Sequence, residues 1–153
     1  MVEKINQKLV IISKALETLG NGVMLYGRYT KIVEIDPSLE NQELLLSMRD
    51  SMIQRFEYCT DLFWKVLKIY LEQVENITLP INSPRVTIRE SVTAKIITEK
   101  ESEQSLNMVK NRNETSHIYH EETAEDIAQN IPEYYRLMIT VIGRLNAVTA
   151  GRV

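Results

Sequence analysis

Apolar residues recur along this chain in steps of three and four. Ile5, Leu9, Ile12, Leu16, Leu19, Val23, Tyr26 and Val33 fall on one stripe, with Thr30 filling the place between the last two. That spacing is one face of an α-helix. Gly20, Gly22 and Gly27 interrupt the run, and each costs about 1 kcal/mol relative to Ala in a helix interior. None sits on the stripe and the phase survives them. The pattern therefore predicts one long helix near residues 3–34, frayed or bent near Gly20 to Gly22, rather than two helices joined by a loop. Asp36-Pro37 ends it, because proline disfavours helical geometry at the residue before it. A second stripe, Leu45, Met48, Met52, Phe56, Cys59, Phe63, Val66, Tyr70 and Val74, predicts a helix near 39–75, with Asp36 or Asn41 as its N-cap. Each of these helices spans about 50 Å at the α-helical rise, and a turn this short folds them antiparallel.

Pro80 breaks the chain, and Ser83-Pro84 reads as an N-cap followed by the first helical residue. A short helix is expected over 84–97 and another over 102–112, followed by a polar stretch, 113–120. The last stripe is Ile127, Ile131, Tyr134, Met138, Val141, Leu145 and Val148, predicting a helix near 121–149. Its phase runs unbroken across Pro132, so a kink is expected there rather than a stop. The fold class that follows is all-α: an up-and-down antiparallel helical bundle of three long and two short helices, with residues 1–153 forming a single domain.

Composition narrows the chemistry. The chain has 153 residues, with 18 Lys and Arg against 21 Asp and Glu, a net charge of −3. That excludes nucleic-acid binding by bulk charge, so any polyanion site is local. Only 5 Gly and 4 Pro are present, and no glycine lies between Gly27 and Gly143. A P-loop or Rossmann loop has nowhere to sit, and β-sandwiches and barrels lack their turn punctuation. The single cysteine, Cys59, excludes an internal disulfide and a cysteine-based zinc site. Aliphatic runs such as residues 9–12 are short, so neither a transmembrane span nor a signal-peptide core is expected, and the cytoplasm is the expected compartment. No metal or cofactor is implied.

Candidate chemistry concentrates in the stretch from Lys110 to His120, which holds both histidines of the chain in a connection between helices, where functional residues gather. Arg112 and His117 are five positions apart, roughly 140° off a common face on a continuous helix. A break between them lets both side chains reach one cleft. Arginine offers a planar fork matched to phosphate oxygens, and histidine a proton donor or acceptor near neutrality. Together they are a minimal kit for metal-free cleavage of an RNA phosphodiester. The residues equally allow a plain alternative: Arg112 caps a helix C-terminus and His117 packs or is solvated. Phe56 and Phe63 belong to the core stripe, whereas Tyr58 and Trp64 lie off it and are available to stack on bases or a partner. Glu121, Glu122, Glu125 and Asp126 are ordinary first-turn acids, which repel phosphate unless they point outward.

The run Asn111-Arg112-Asn113-Glu114-Thr115-Ser116-His117-Ile118-Tyr119, followed by Glu121-Glu122-Thr123-Ala124-Glu125-Asp126-Ile127, resembles the signature of the HEPN superfamily. The branch it is most similar to is that of the nucleotidyltransferase substrate-binding proteins, the HEPN half of MNT–HEPN pairs. Arg49-Asp50-Ser51-Met52-Ile53-Gln54-Arg55-Phe56-Glu57-Tyr58 and Asp61-Leu62-Phe63-Trp64-Lys65 resemble that branch's second helix. Ser83-Pro84-Arg85 with Ile88-Arg89-Glu90 resembles its short third helix. Asn111 stands where the family usually has an acid, and His120 where it often has Asp. The resemblance implies a helical bundle that dimerises with two Arg–His motifs facing a shared cleft. It implies a metal-independent RNase toxin with Arg112 and His117 as catalytic residues, Asn113 and Ser116 supporting them, and RNA as substrate. It implies a minimal nucleotidyltransferase partner that neutralises the toxin by transferring AMP to Tyr119. A second function class is a non-catalytic nucleotide- or substrate-binding subunit of the transferase, and a third is a helical interaction module with a vestigial motif.

Overall fold

The computed structural model of the chain describes residues 2–117 and 121–151. Among these there is no strand; the elements are α1 (Val2–Ile35), α2 (Leu39–Gln73), α3 (Pro84–Thr93), α4 (Glu99–Glu114), a 3-10 turn (Thr115–His117) and α5 (Glu121–Ala150). Side-chain pairs fix the helix directions. Arg55 Nη1 donates to the Thr18 carbonyl at 2.9 Å, and Gly22 lies against Met52, so α2 runs antiparallel to α1. Tyr26 meets Glu125 and Gly20 meets Tyr135, so α5 is also antiparallel to α1. Arg49 pairs with Glu125 and Phe56 stacks on Tyr134 with ring centroids 5.7 Å apart, so α5 runs with α2. Asn111 meets Tyr134 and Glu101 meets Arg144, so α4 opposes α5. The bundle is up-and-down.

The core sits where those stripes converge. Ile5, Leu9, Ile12, Leu16 and Leu19 of α1, Met52, Phe56, Cys59, Phe63, Val66 and Tyr70 of α2, and Ile127, Ile131, Met138, Val141 and Leu145 of α5 are all buried. The ends of the stripes are looser: Val23 and Tyr26 are only partly buried, and Val148 is exposed. α1 passes through its three glycines as one unbroken helix. Gly20 has a packing reason, since a Cβ there would stand 2.6 Å from the Tyr135 hydroxyl. By length and composition α1 is apolar enough to cross a membrane, which the short aliphatic runs did not suggest. In this fold it lays the Ile5-to-Leu19 stripe against α2 and α5.

Helix ends depart from the sequence expectation in three places, each for a local reason. Ser38, not Asp36 or Asn41, caps α2: its Oγ accepts from the Asn41 amide at 3.2 Å. Asn41 instead donates its side-chain amide to the Asp36 carbonyl. α3 begins as expected, with Ser83 as N-cap and Pro84 next, but ends at Thr93 rather than near 97. Lys95 adopts a left-handed φ of 62°, and the Ile96 amide returns to the Ser91 carbonyl at 2.9 Å. That is a Schellman closure with Lys where Gly is usual, and it drives Ile96 and Ile97 into the core. α4 begins at Glu99 rather than near 102, because Thr98 and Glu101 form a reciprocal capping box. α5 continues through Pro132.

Candidate functional site

Arg112 lies in the last turn of α4, where the α-helix gives way to the 3-10 turn. Three side chains surround its guanidinium. Asp61 takes the Nε and Nη2 donors on its two carboxylate oxygens, both at 3.1 Å. Nη1 donates to Glu57 Oε2 at 3.1 Å and to Thr115 Oγ1 at 3.2 Å. The Asp61 hydrogen bonds raise the Arg112 pKa above its ordinary value, prevailing over partial burial, which lowers it. Glu57 and Asp61 stand four residues apart, on one face of α2. Thr115 is buried and donates its hydroxyl to the Arg112 carbonyl at 2.6 Å, so the cluster also ties down the start of the 3-10 turn.

The rest of the motif divides around this cluster. Asn113 is on the α3 side of α4, lining a surface groove of about 670 Å³ with Arg85, Leu106 and Lys110. Its carbonyl accepts the Ser116 hydroxyl at 2.8 Å, which tightens the turn. Asn111 is on the opposite flank, and its Oδ1 accepts the Tyr134 hydroxyl at 2.7 Å. This uncharged amide braces α4 against α5. Burial, then Glu114 and Glu133, raise the Tyr134 pKa. A second groove, of about 360 Å³, runs between these helices and is lined by Gln104, Asn107, Lys110, Asn111 and Asn130. His117 closes the 3-10 turn; its side chain, Tyr119 and His120 lie outside the described residues. Arg112, Asn113 and Ser116 are therefore gathered at one helix end. Among the described residues no group of three or more His, Cys, Asp or Glu could hold a metal ion.

The sequence alone assigns no role to Glu57 and Asp61. Their signals in the sequence are the four-residue spacing off the core stripe and their place in the two segments that resemble the family's second helix. The sequence alone also misses Arg49, buried at 4% exposure, whose Nη1 donates to Glu125 Oε1 at 2.9 Å. Tyr26 donates to the other oxygen of Glu125 at 3.2 Å. Of the acids opening α5, Glu125 is thus turned toward α1 and α2 and neutralised, while Glu122 and Asp126 are exposed. Among the off-stripe aromatics Tyr58 is exposed and Trp64 partly buried.

A family model described as nucleotidyltransferase substrate binding protein like matches residues 7–147. No curated protein matches the chain. Among solved structures, a protein of Thermus thermophilus is 36% identical, with a TM-score of 0.70 over 88% of this chain and 98% of that one. A chain of the mutant toxin–antitoxin pair MntA–HpeT is 16% identical, with a TM-score of 0.69, covering 94% of this chain and 97% of that one. A chain of the tri-AMPylated Shewanella oneidensis HEPN toxin in complex with MNT antitoxin is 19% identical, with a TM-score of 0.67, covering 94% and 96%. The last two likenesses establish a common fold. With a family match over nearly the whole chain and a relative at 36% identity, the protein belongs to the nucleotidyltransferase substrate binding protein-like family and carries the HEPN fold.

Proposed function

We propose that this protein is a HEPN-type RNase toxin of the cytoplasm, acting as a dimer and paired with a minimal nucleotidyltransferase that neutralises it. The observation that carries this reading is the position of Arg112. It stands in the last turn of α4, which tightens at Thr115 into the 3-10 turn ending at His117, so the two motif residues do not share one uniform α-helix, which supports the reading. In the proposed reaction Arg112 binds the scissile phosphate. His117 takes the proton of the ribose 2′-OH or returns one to the leaving 5′-oxygen. The 2′-oxygen forms the new bond to phosphorus as the bond to the 5′-oxygen breaks. Asn113 and Ser116 hold the turn. No metal is used.

Neutralisation follows from the same site. The Tyr119 hydroxyl attacks the α-phosphorus of ATP in the partner's active site, pyrophosphate leaves, and the phenolic proton is lost to solvent. The added AMP brings a negative charge and a purine beside the motif, repelling substrate phosphate. The tri-AMPylated state named for the Shewanella toxin supports this chemistry by analogy. The test is intact mass after incubation with the nucleotidyltransferase, ATP and magnesium. Wild type gains AMP and loses RNA cleavage, and Tyr119→Phe gains none. A wild type that stays unmodified, or a Tyr119→Phe variant that gains the same mass, rejects the role of Tyr119.

One observation favours a second reading, a non-catalytic nucleotide-binding subunit. The groove between α4 and α5 presents four carboxamides, those of Gln104, Asn107, Asn111 and Asn130, and carboxamides match the hydrogen-bonding edges of nucleobases. Nucleotide binding without RNA cleavage is its signature.

A further inference from the structure

An arginine has five N–H donors arranged on a side edge, Nε with Nη2, and a terminal edge, Nη1 with Nη2. Asp61 fills the side edge of Arg112 with two parallel bonds. The terminal edge is the one left to grip two phosphate oxygens. Glu57 accepts through one oxygen from Nη1, one of the two nitrogens of that edge. Thr115 accepts from Nη1 as well, which leaves the second Nη2 hydrogen without a described acceptor. The two carboxylates are not equally held: Asp61 binds through both oxygens and Glu57 through one. The site is also open to solvent, with the side chains of Arg112, Glu57 and Asp61 at 25%, 32% and 45% exposure. With one cation between two anions, the cluster has a net charge of −1 and repels RNA as it stands.

We infer that Glu57 is a built-in competitor for the RNA phosphate: its carboxylate occupies the terminal edge of Arg112, while Asp61 holds the side edge as a fixed anchor. The inference rests on the RNase reading and adds a residue that sets substrate affinity. A phosphate entering the site displaces Glu57 from Nη1 and takes the free Nη2 hydrogen, gaining a two-point contact where Glu57 has one. Asp61 stays, so the guanidinium keeps its aim. Glu57 and Asp61 carry the same charge at neighbouring positions, yet their removal should have opposite consequences. Neutralising Glu57 vacates the phosphate's place. Neutralising Asp61 frees the guanidinium to turn.

The test is fluorescence anisotropy with a labelled 2′-O-methyl RNA octamer, which lacks the attacking hydroxyl and cannot be cleaved, at one fixed salt concentration. Glu57→Gln should bind roughly tenfold more tightly than wild type, the scale expected when one like charge is removed a few ångströms from a phosphate near the surface. The gain should vanish when Arg112→Gln is added, and Asp61→Asn should bind no better than wild type. Thermal melting checks each variant. Should Glu57→Gln not fold, Glu57→Asp keeps the charge but withdraws the carboxylate by one methylene, and should give a smaller gain of the same sign. Equal gains from Glu57→Gln and Asp61→Asn would reduce the effect to bulk charge and overturn the inference, as would a gain that persists without Arg112. Wild type that cleaves RNA while Glu57→Gln binds no more tightly rejects the competitor and leaves the RNase standing. Wild type that does not cleave, beside a Glu57→Gln variant that gains through Arg112, rejects the RNase and keeps the competitor. Absence of binding by every variant rejects both.

Discussion

The partly buried Arg49–Glu125–Tyr26 group joins three helices through one carboxylate, with Arg49 on one oxygen and Tyr26 on the other. Burial, and then Glu125, push the Tyr26 hydroxyl up to about 12 from an ordinary value of 10.0. A raised folded-state pKa means the neutral phenol is favoured in the folded protein. Its stabilising contribution is complete below about pH 10 and is lost as pH rises toward the folded value. Urea unfolding at pH 9 and pH 11.5 should show a loss in wild type that is smaller in Tyr26→Phe. Burial of the Cys59 thiol acts in the same direction, so the difference between the two proteins is the quantity to read. Equal losses in both would remove Tyr26 from the account. This group was illegible in the sequence because Glu125 and Arg49 are 76 residues apart, and an acid near the start of a helix already has a sufficient local explanation. Arg112 was legible through its place in a motif; its partners were not. Glu57 and Asp61 can be read as two acids on one helix face, but only packing decides which cation they meet.

The three long helices were legible because each carries a stripe long enough to fix its phase, and a stripe that survives Gly20 or Pro132 outweighs one unfavourable residue. The short helices were read less well, since their ends are set by caps rather than by stripes. The signal for the start of α4 was present in the sequence as Thr98 followed three positions later by Glu101. The end of α3 was hidden, because Lys95 takes a left-handed conformation that a sequence advertises only with Gly or Asn. Glu101 has two tasks at that junction. It completes the capping box, and it receives both Arg144 terminal nitrogens, at 2.9 and 3.0 Å. Glu101→Ala should therefore cost about 1–2 kcal/mol in chemical denaturation, the range of a lost cap plus a forked ion pair. Hydrogen bonding from Arg144 holds the Glu101 carboxyl below its ordinary value. Its contribution is thus present above the unfolded carboxyl pKa and is lost as pH falls through the folded value. Glu101→Gln should lack that acid-side slope, and an unchanged slope would contradict the assignment.

At the scale of the whole molecule, the outer side of α1 exposes several large apolar side chains. Val10, Ile11, Met24, Leu25, Ile32 and Ile35 of α1 are exposed, Ile35 at 86%, on a helix whose opposite face is the core. These apolar side chains alternate with exposed Lys14, Glu17, Asn21 and Arg28, a mixed surface of the kind found at protein interfaces, and the proposed dimer gives it a use. Sedimentation equilibrium at micromolar concentration should return twice the 17.7 kDa chain mass; a monomer at every concentration would contradict the dimer. The family match and the helices fix family and fold, while the proposed chemistry rests on Arg112 and His117, at the two ends of the passage from α4 into the 3-10 turn. The most direct test is cleavage of a defined RNA in EDTA by wild type and by His117→Ala, with product ends mapped and both proteins matched in thermal melting. Wild type should cleave without metal and leave 2′,3′-cyclic phosphate ends, the mark of attack by the ribose 2′-oxygen, and His117→Ala should not cleave. RNA left intact by wild type, or cleaved as well by His117→Ala, would contradict the proposed chemistry.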